Sequence, residues 1–161
     1  MIFNPSGKLD RLMTNAETIH RYIHAGKGKV TLVAPSMNAH EYWFRRPANP
    51  NEFEPGTIFV SVIHEGRPMY IGILDQGDVR LTRSSKFNPD TEAVKGAKYI
   101  AAMSINQGLV DRTPMKLYHS GKCCKCGRKL TDSKSMLDGI GRKCLKKYNA
   151  LVAKEPWDGN S

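Results

Sequence analysis

The sequence predicts an α+β fold, in which an antiparallel β-sheet with flanking helices is followed by a small cysteine-bearing module. Three observations carry this. Five short runs rich in β-branched and aromatic residues follow one another, separated by turn signals and one charged, Pro-rich break, and the last three read as an antiparallel meander. One amphipathic helical pattern precedes the runs and one follows them. All four cysteines lie in the last third of the chain, inside HSGKCCKCGRKLTDSKSMLDGIGRKC at residues 119–144.

The first element is the helix in TNAETIHRYIHAG. Thr14 and Glu17 stand at capping-box spacing, Ile19, Tyr22 and Ile23 fall on one face, and Gly26 stops it. The i, i+4 pair His20 and His24 reads as surface histidines, because no local carboxylate or thiol completes a site. KVTLVAPS and HEYWFRR are the first two strands, and on the second Trp43 and Phe44 must face opposite ways. The charged break RRPANPNEFEPG is a surface loop. TIFVSVIH, PMYIGILD and VRLTRS follow as a meander, separated by Glu65-Gly66-Arg67-Pro68 and Gln76-Gly77-Asp78. The second helix is DTEAVKGAKYIAAMSINQG, capped by Asp90 and ended by Gly108, with Ala93, Val94, Ala97, Ile100 and Ala101 as its apolar stripe. After an extended piece around Met115 and Tyr118 comes the cysteine segment, then a final amphipathic helix in RKCLKKYNALVAK. The expected organisation is a body at residues 1–115, a basic metal-binding module at 116–154 and a flexible tail at 155–161.

The chain has 161 residues, 40% hydrophobic and 25% charged, which suits a folded domain. It has no apolar run long enough for a membrane span, and its opening MIFNPSGKLD lacks the cationic end and apolar stretch of a signal peptide. A cytoplasmic location is expected. The net charge of +10 is concentrated: residues 116–154 hold eleven Lys and Arg against Asp132 and Asp138. A polyanionic partner explains that distribution; an acidic protein surface or a demand for solubility are the competing explanations.

Thiols gathered in one short segment of a chain expected in a reducing compartment are metal ligands before they are disulfides. Cys123 and Cys126 form a Cys-x2-Cys pair followed by Gly127, a knuckle whose tight turn aims two sulfurs at one ion. Cys144, at the start of the last helix, is a third ligand, favoured there as thiolate by the helix dipole. A closed structural zinc site needs a fourth. His119 completes a His-x3-Cys-x2-Cys-x17-Cys set; Cys124 competes for that place, but adjacent side chains in an extended knuckle diverge. The expected cofactor is one structural Zn²⁺, without which the few apolar groups of the module (Leu130, Met136, Leu137, Ile140) are too few to hold it. Together these features suggest a treble-clef-like zinc module.

His119, Gly121-Lys122-Cys123, Cys126-Gly127-Arg128-Lys129-Leu130-Thr131, Ser135 and Gly139-Ile140-Gly141 before Cys144 resemble a family of small, mostly uncharacterised phage and bacterial proteins. Members have a β-rich body and a C-terminal cysteine module. TLVAPSMNAHEYWFRRP, FVSV and YIGILDQGDVRLTRSSK also look like that family's β-rich portion, so the resemblance covers roughly residues 28–145. It implies zinc and a phage-like origin, hence the cytoplasm of a host. Where relatives carry proline after Gly-Ile-Gly, this chain has Arg142, which adds a positive charge at the mouth of the last helix.

Zinc would bring Lys122, Lys125, Arg128 and Lys129 beside Arg142, Lys143, Lys146 and Lys147. The function expected is therefore non-enzymatic binding of nucleic acid, DNA or RNA, or of a nucleoprotein complex, with little sequence preference. Tyr118 and Tyr148 flank the patch, either stacking on bases or packing in the small core of the module. No Ser/His/Asp or Cys/His set at interpretable spacing calls for catalysis. The alternative is a protein-directed inhibitor of a host defence or transcription assembly.

Overall fold

The computed structural model describes residues 3–154. The expected tail at residues 155–161 lies outside them. Helix α1 (Ala16–His24) buries Ile19, Tyr22 and Ile23 completely. Its cap is Asn15, whose side chain accepts the Thr18 N–H, and not the expected Thr14. An Asn oxygen reaches the third amide as well as a threonine hydroxyl does, so the helix starts one residue later.

Strands β1 (Lys27–Val33), β2 (Ala39–Arg45), β3 (Phe59–His64), β4 (Arg67–Asp75) and β5 (Asp78–Leu81) form the expected antiparallel meander. The β3–β4 turn at Glu65-Gly66 and the β4–β5 turn at Gln76-Gly77 each place two consecutive residues at positive φ, as two-residue hairpins require. Helix α2 (Glu92–Met103) follows, with Thr91 rather than Asp90 as its N-cap. It ends at Met103, and Gly108 lies inside a separate short helix, α3 (Gln107–Arg112), started by the Asn106 side chain.

The extended piece after α3 is a sixth strand, β6 (Lys116–His119), which pairs with β1. The sheet order is β5-β4-β3-β2-β1-β6. The boundary drawn between body and module therefore falls at the edge of one sheet. A short helix, α4 (Ser133–Asp138), and a longer one, α5 (Arg142–Lys154), complete the described residues.

Val30, Leu32, Tyr42, Phe44, Val60 and Val62 share one face of the sheet by register and are buried under α1 and α2. The Tyr42 hydroxyl donates to Ala93 O at 2.7 Å, seating α2. Cys123, Cys124, Leu130 and Ile140 belong to this same core, so body and module are packed as one unit. On the opposite face a small cluster of Phe3, Val33, Ala39 and Tyr118 closes one end. Among the described residues no helix is long and apolar enough to cross a membrane.

Candidate metal centre

The knuckle is a miniature hairpin. The Cys123 N–H donates to Arg128 O at 2.8 Å, the Gly127 N–H to Cys123 O at 2.9 Å, and Lys122 pairs with Lys129 across it. Gly127 sits at φ +79°, a left-handed conformation that an L side chain resists. Helix α4 is capped by Asp132, whose carboxylate accepts the Ser135 N–H, and ends on left-handed Gly139. Ile140 is buried, and α5 then begins so that Cys144 lies in its first turn.

These elements bring the sulfurs of Cys123, Cys126 and Cys144 within 4.8 Å of one another. Tetrahedral zinc at about 2.3 Å from each sulfur needs sulfurs about 3.8 Å apart, so the three fit one ion after a small contraction. Soft thiolates suit a metal ion such as zinc, and one bound there would join the knuckle to α5. Burial acts to raise the Cys123 thiol, but the N–H groups of Cys126, Gly141 and Lys125 outweigh it and hold the pKa at about 7. The Gly141 N–H donates to the Cys123 sulfur at 3.4 Å. Cys144 is pushed the other way, to about 11, by burial and by the neighbouring Cys126 and Cys123 sulfurs. Thiols crowded in this way lose their protons together only when a cation offsets the charge.

The structure does not bring His119 into the cluster. Its Nδ1 accepts the Gly121 N–H at 3.0 Å and its Nε2–H donates to Met136 O at 2.7 Å, which leaves neither nitrogen for a metal. The ring is 3% exposed and stacks on Tyr22 with centroids 5.4 Å apart. Burial also keeps its pKa below the ordinary value, so the ring is neutral. In this position His119 links β6, the knuckle and α4. Cys124 is also outside the cluster. It is fully buried, and burial together with the Cys123 charge raises it to about 12, so it remains a thiol.

The module is tied to α1 and β1 by the Tyr22 hydroxyl donating to Lys122 O (2.9 Å), Arg21 donating to Asp138 O (2.8 Å) and the Lys27 N–H donating to Cys124 O (2.7 Å). None of these partnerships has a local sequence signal, since each joins positions about a hundred residues apart.

The three cysteines open onto a cleft of about 570 Å³, which Arg128, Lys129, Arg142, Lys143 and Lys147 also line. Asp132 stands on its wall and forms an ion pair with Arg142 at 3.5 Å. Lys125 and Lys146 are not on its lining, and Lys122 lines a second cleft with Lys27, Lys29 and Trp43. Tyr118 is not beside the basic cleft: it is 4% exposed and packs on Phe3, with ring centroids 4.7 Å apart. Tyr148 packs, half-buried, against the main core.

Residues 117–149, from β6 into α5, are similar to a family of unknown function (DUF6011). The match takes in His119 and all four cysteines, while the upstream strands lie outside it. No curated protein and no solved structure matches the chain.

Proposed function

We propose that the protein is a non-catalytic zinc protein whose basic C-terminal lobe holds nucleic acid, or the nucleic acid of a nucleoprotein complex, with little sequence preference. The observation that supports this reading is the convergence of five Lys and Arg side chains on the cleft that contains the three-cysteine cluster. Arg128 and Lys129 come from the knuckle, and Arg142, Lys143 and Lys147 from the first turns of α5. Three thiolates and Zn²⁺ sum to a single negative charge, so an ion held by Cys123, Cys126 and Cys144, its fourth position left to water or to a donor outside this set, would fix this geometry without cancelling the positive field. The Arg142–Asp132 pair neutralises one cation, and Lys122, Lys125 and Lys146 supplement the rest. Phosphate oxygens suit such a surface, and a backbone-directed contact reads no sequence.

The test is binding of mixed-sequence DNA and RNA across a salt series. With about five phosphates neutralised, log K should fall against log salt with a slope near −4 to −5 on duplex DNA. Exchanging Lys146 and Lys147 for Glu should collapse the affinity. A flat salt response, or affinity unchanged by that exchange, rejects the reading and points instead to a protein-directed role.

A further inference from the structure

One end of the sheet face opposite α1 and α2 is closed by Phe3 and its neighbours, and at the other Phe53 of the β2–β3 loop meets the Phe59 ring edge-on at 5.0 Å. Register places Lys27, Lys29, Arg45, Trp43 and Phe59 on the remainder of this face. Lys29, Trp43, Arg45, Phe59 and Tyr70 are all half-buried, whereas their neighbours on the helix side are buried. Cations and rings interleave here. Lys29 Nζ lies 5.1 Å and Arg45 Cζ 5.3 Å from the Trp43 ring, and Arg45 Cζ lies 5.4 Å from the Phe59 ring. Phe59 in turn meets Tyr70 edge-on at 6.0 Å. Glu41 is the one carboxylate at the strand positions of this face in β1, β2 and β3. Among the described residues, Lys27, Lys29, Arg45 and Lys122 form no ion pair.

We infer that this face, centred on Trp43, binds a single-stranded nucleic acid, stacking its bases on the half-buried aromatic rings while Lys27, Lys29, Arg45 and Lys122 hold its phosphates. The inference rests on the nucleic-acid reading above and specifies its strandedness. Charge alone suits any polyanion. Flat apolar rings at intervals among the cations suit one whose charges alternate with flat π-faces, and only unpaired bases leave those faces free. The surface runs on into the module, because Lys27, Lys29 and Trp43 share a cleft of about 290 Å³ with Lys122 and Gly127 of the knuckle hairpin. A strand leaving the basic cleft can thus continue onto the sheet. The cations already on Trp43 do not prevent this. A cation–π contact at an exposed site favours its geometry by about two- to five-fold, while stacking one base on an aromatic residue is worth about 5- to 100-fold. The base displaces the ammonium, which becomes available to the next phosphate.

The chain has two tryptophans, Trp43 and Trp157, so a Trp157→Phe background makes Trp43 the sole indole reporter. A 12-nucleotide single strand, the same sequence as a duplex, and polyglutamate are titrated against it. The single strand should quench Trp43 emission, and the polyglutamate should not. Trp43→Ala should weaken single-strand binding about 5- to 100-fold and change duplex binding less than two-fold, with Trp43→Phe recovering most of the loss. Undiminished single-strand binding by Trp43→Ala, or equal quenching by polyglutamate, overturns the inference. If the Lys146/Lys147 exchange abolishes binding while Trp43 variants bind normally, the sheet assignment fails and the basic-lobe reading stands. Absence of binding to either nucleic acid removes both.

Discussion

Gly139 and Gly141 flank Ile140 in the link that positions Cys144, and the structure assigns them opposite sensitivities. Gly139 lies at φ +71°, and a Cβ built there would sit 2.6 Å from Cδ2 of the Tyr22 ring. That ring cannot yield cheaply, being fully buried and anchored through its hydroxyl to Lys122 O at 2.9 Å. Forcing Ala into the left-handed region costs about 1–2 kcal/mol, and overpacking a filled site adds about 1–3 kcal/mol. Reduced freedom in the unfolded chain returns about 0.4–1 kcal/mol. Gly139→Ala should therefore destabilise by about 2–4 kcal/mol. At Gly141 φ is not positive and a Cβ meets nothing within 4 Å, so Gly141→Ala should be neutral or stabilising by up to about 1 kcal/mol. With an m-value of about 2 kcal/mol/M in urea, the two midpoints should differ by roughly 1–2.5 M. Gly139→Asn separates the contributions, because Asn tolerates the left-handed conformation but still carries a Cβ. Equal midpoints for the two alanine variants would refute the claim that Gly139 and Tyr22 are in close, unyielding contact.

His119→Gln should keep one zinc per chain by elemental analysis while losing about 1–3 kcal/mol of stability in urea, because the Gly121 N–H and Met136 O lose their buried partner; Cys123→Ser and Cys144→Ser should lose the metal. Loss of zinc from the His119 variant would restore that residue to the ligand set. Cys124→Ala should also retain zinc, and mass mapping after brief alkylation of the native chain at neutral pH should find Cys124 unmodified, since burial both shields it and raises its pKa to about 12. For pH, His24 is held at about 4 by burial, with His20 adding to the effect, against its ordinary 6.5. Between those values the unfolded chain binds a proton that the folded chain refuses, so stability is full above 6.5 and falls as pH drops toward 4. Urea midpoints over that range should decline less steeply in His24→Gln, and parallel profiles would count against this assignment.

The strands of the meander and the knuckle were legible because their signals are local. Two consecutive positive-φ positions at Glu65-Gly66 and Gln76-Gly77 make tight hairpins whatever lies beyond them. Cys123 and Cys126 likewise need only a two-residue spacer and Gly127 to converge. Helix ends were less legible, because Thr14 and Asn15, or Asp90 and Thr91, are adjacent candidates of similar capping strength, and a one-residue choice between them depends on how the helix seats on its neighbours. Strand β6 was hardest to see. Four residues carry little pattern of their own and acquire a strand's identity by pairing with β1, some ninety residues earlier.

By itself, the sequence determined the α+β architecture, the cysteine pattern and the concentration of positive charge, since each follows from residue spacing or simple totals. Tertiary packing decided the rest. It left Trp43 on the open face while Phe44 went into the core, and it joined the module to the body through Tyr22 and Cys124. It also engaged both nitrogens of His119 with backbone groups from Gly121 and Met136. The physical reason is that a buried polar atom must take whichever partner the fold brings within reach, and for His119 one of those partners lies seventeen residues away in α4.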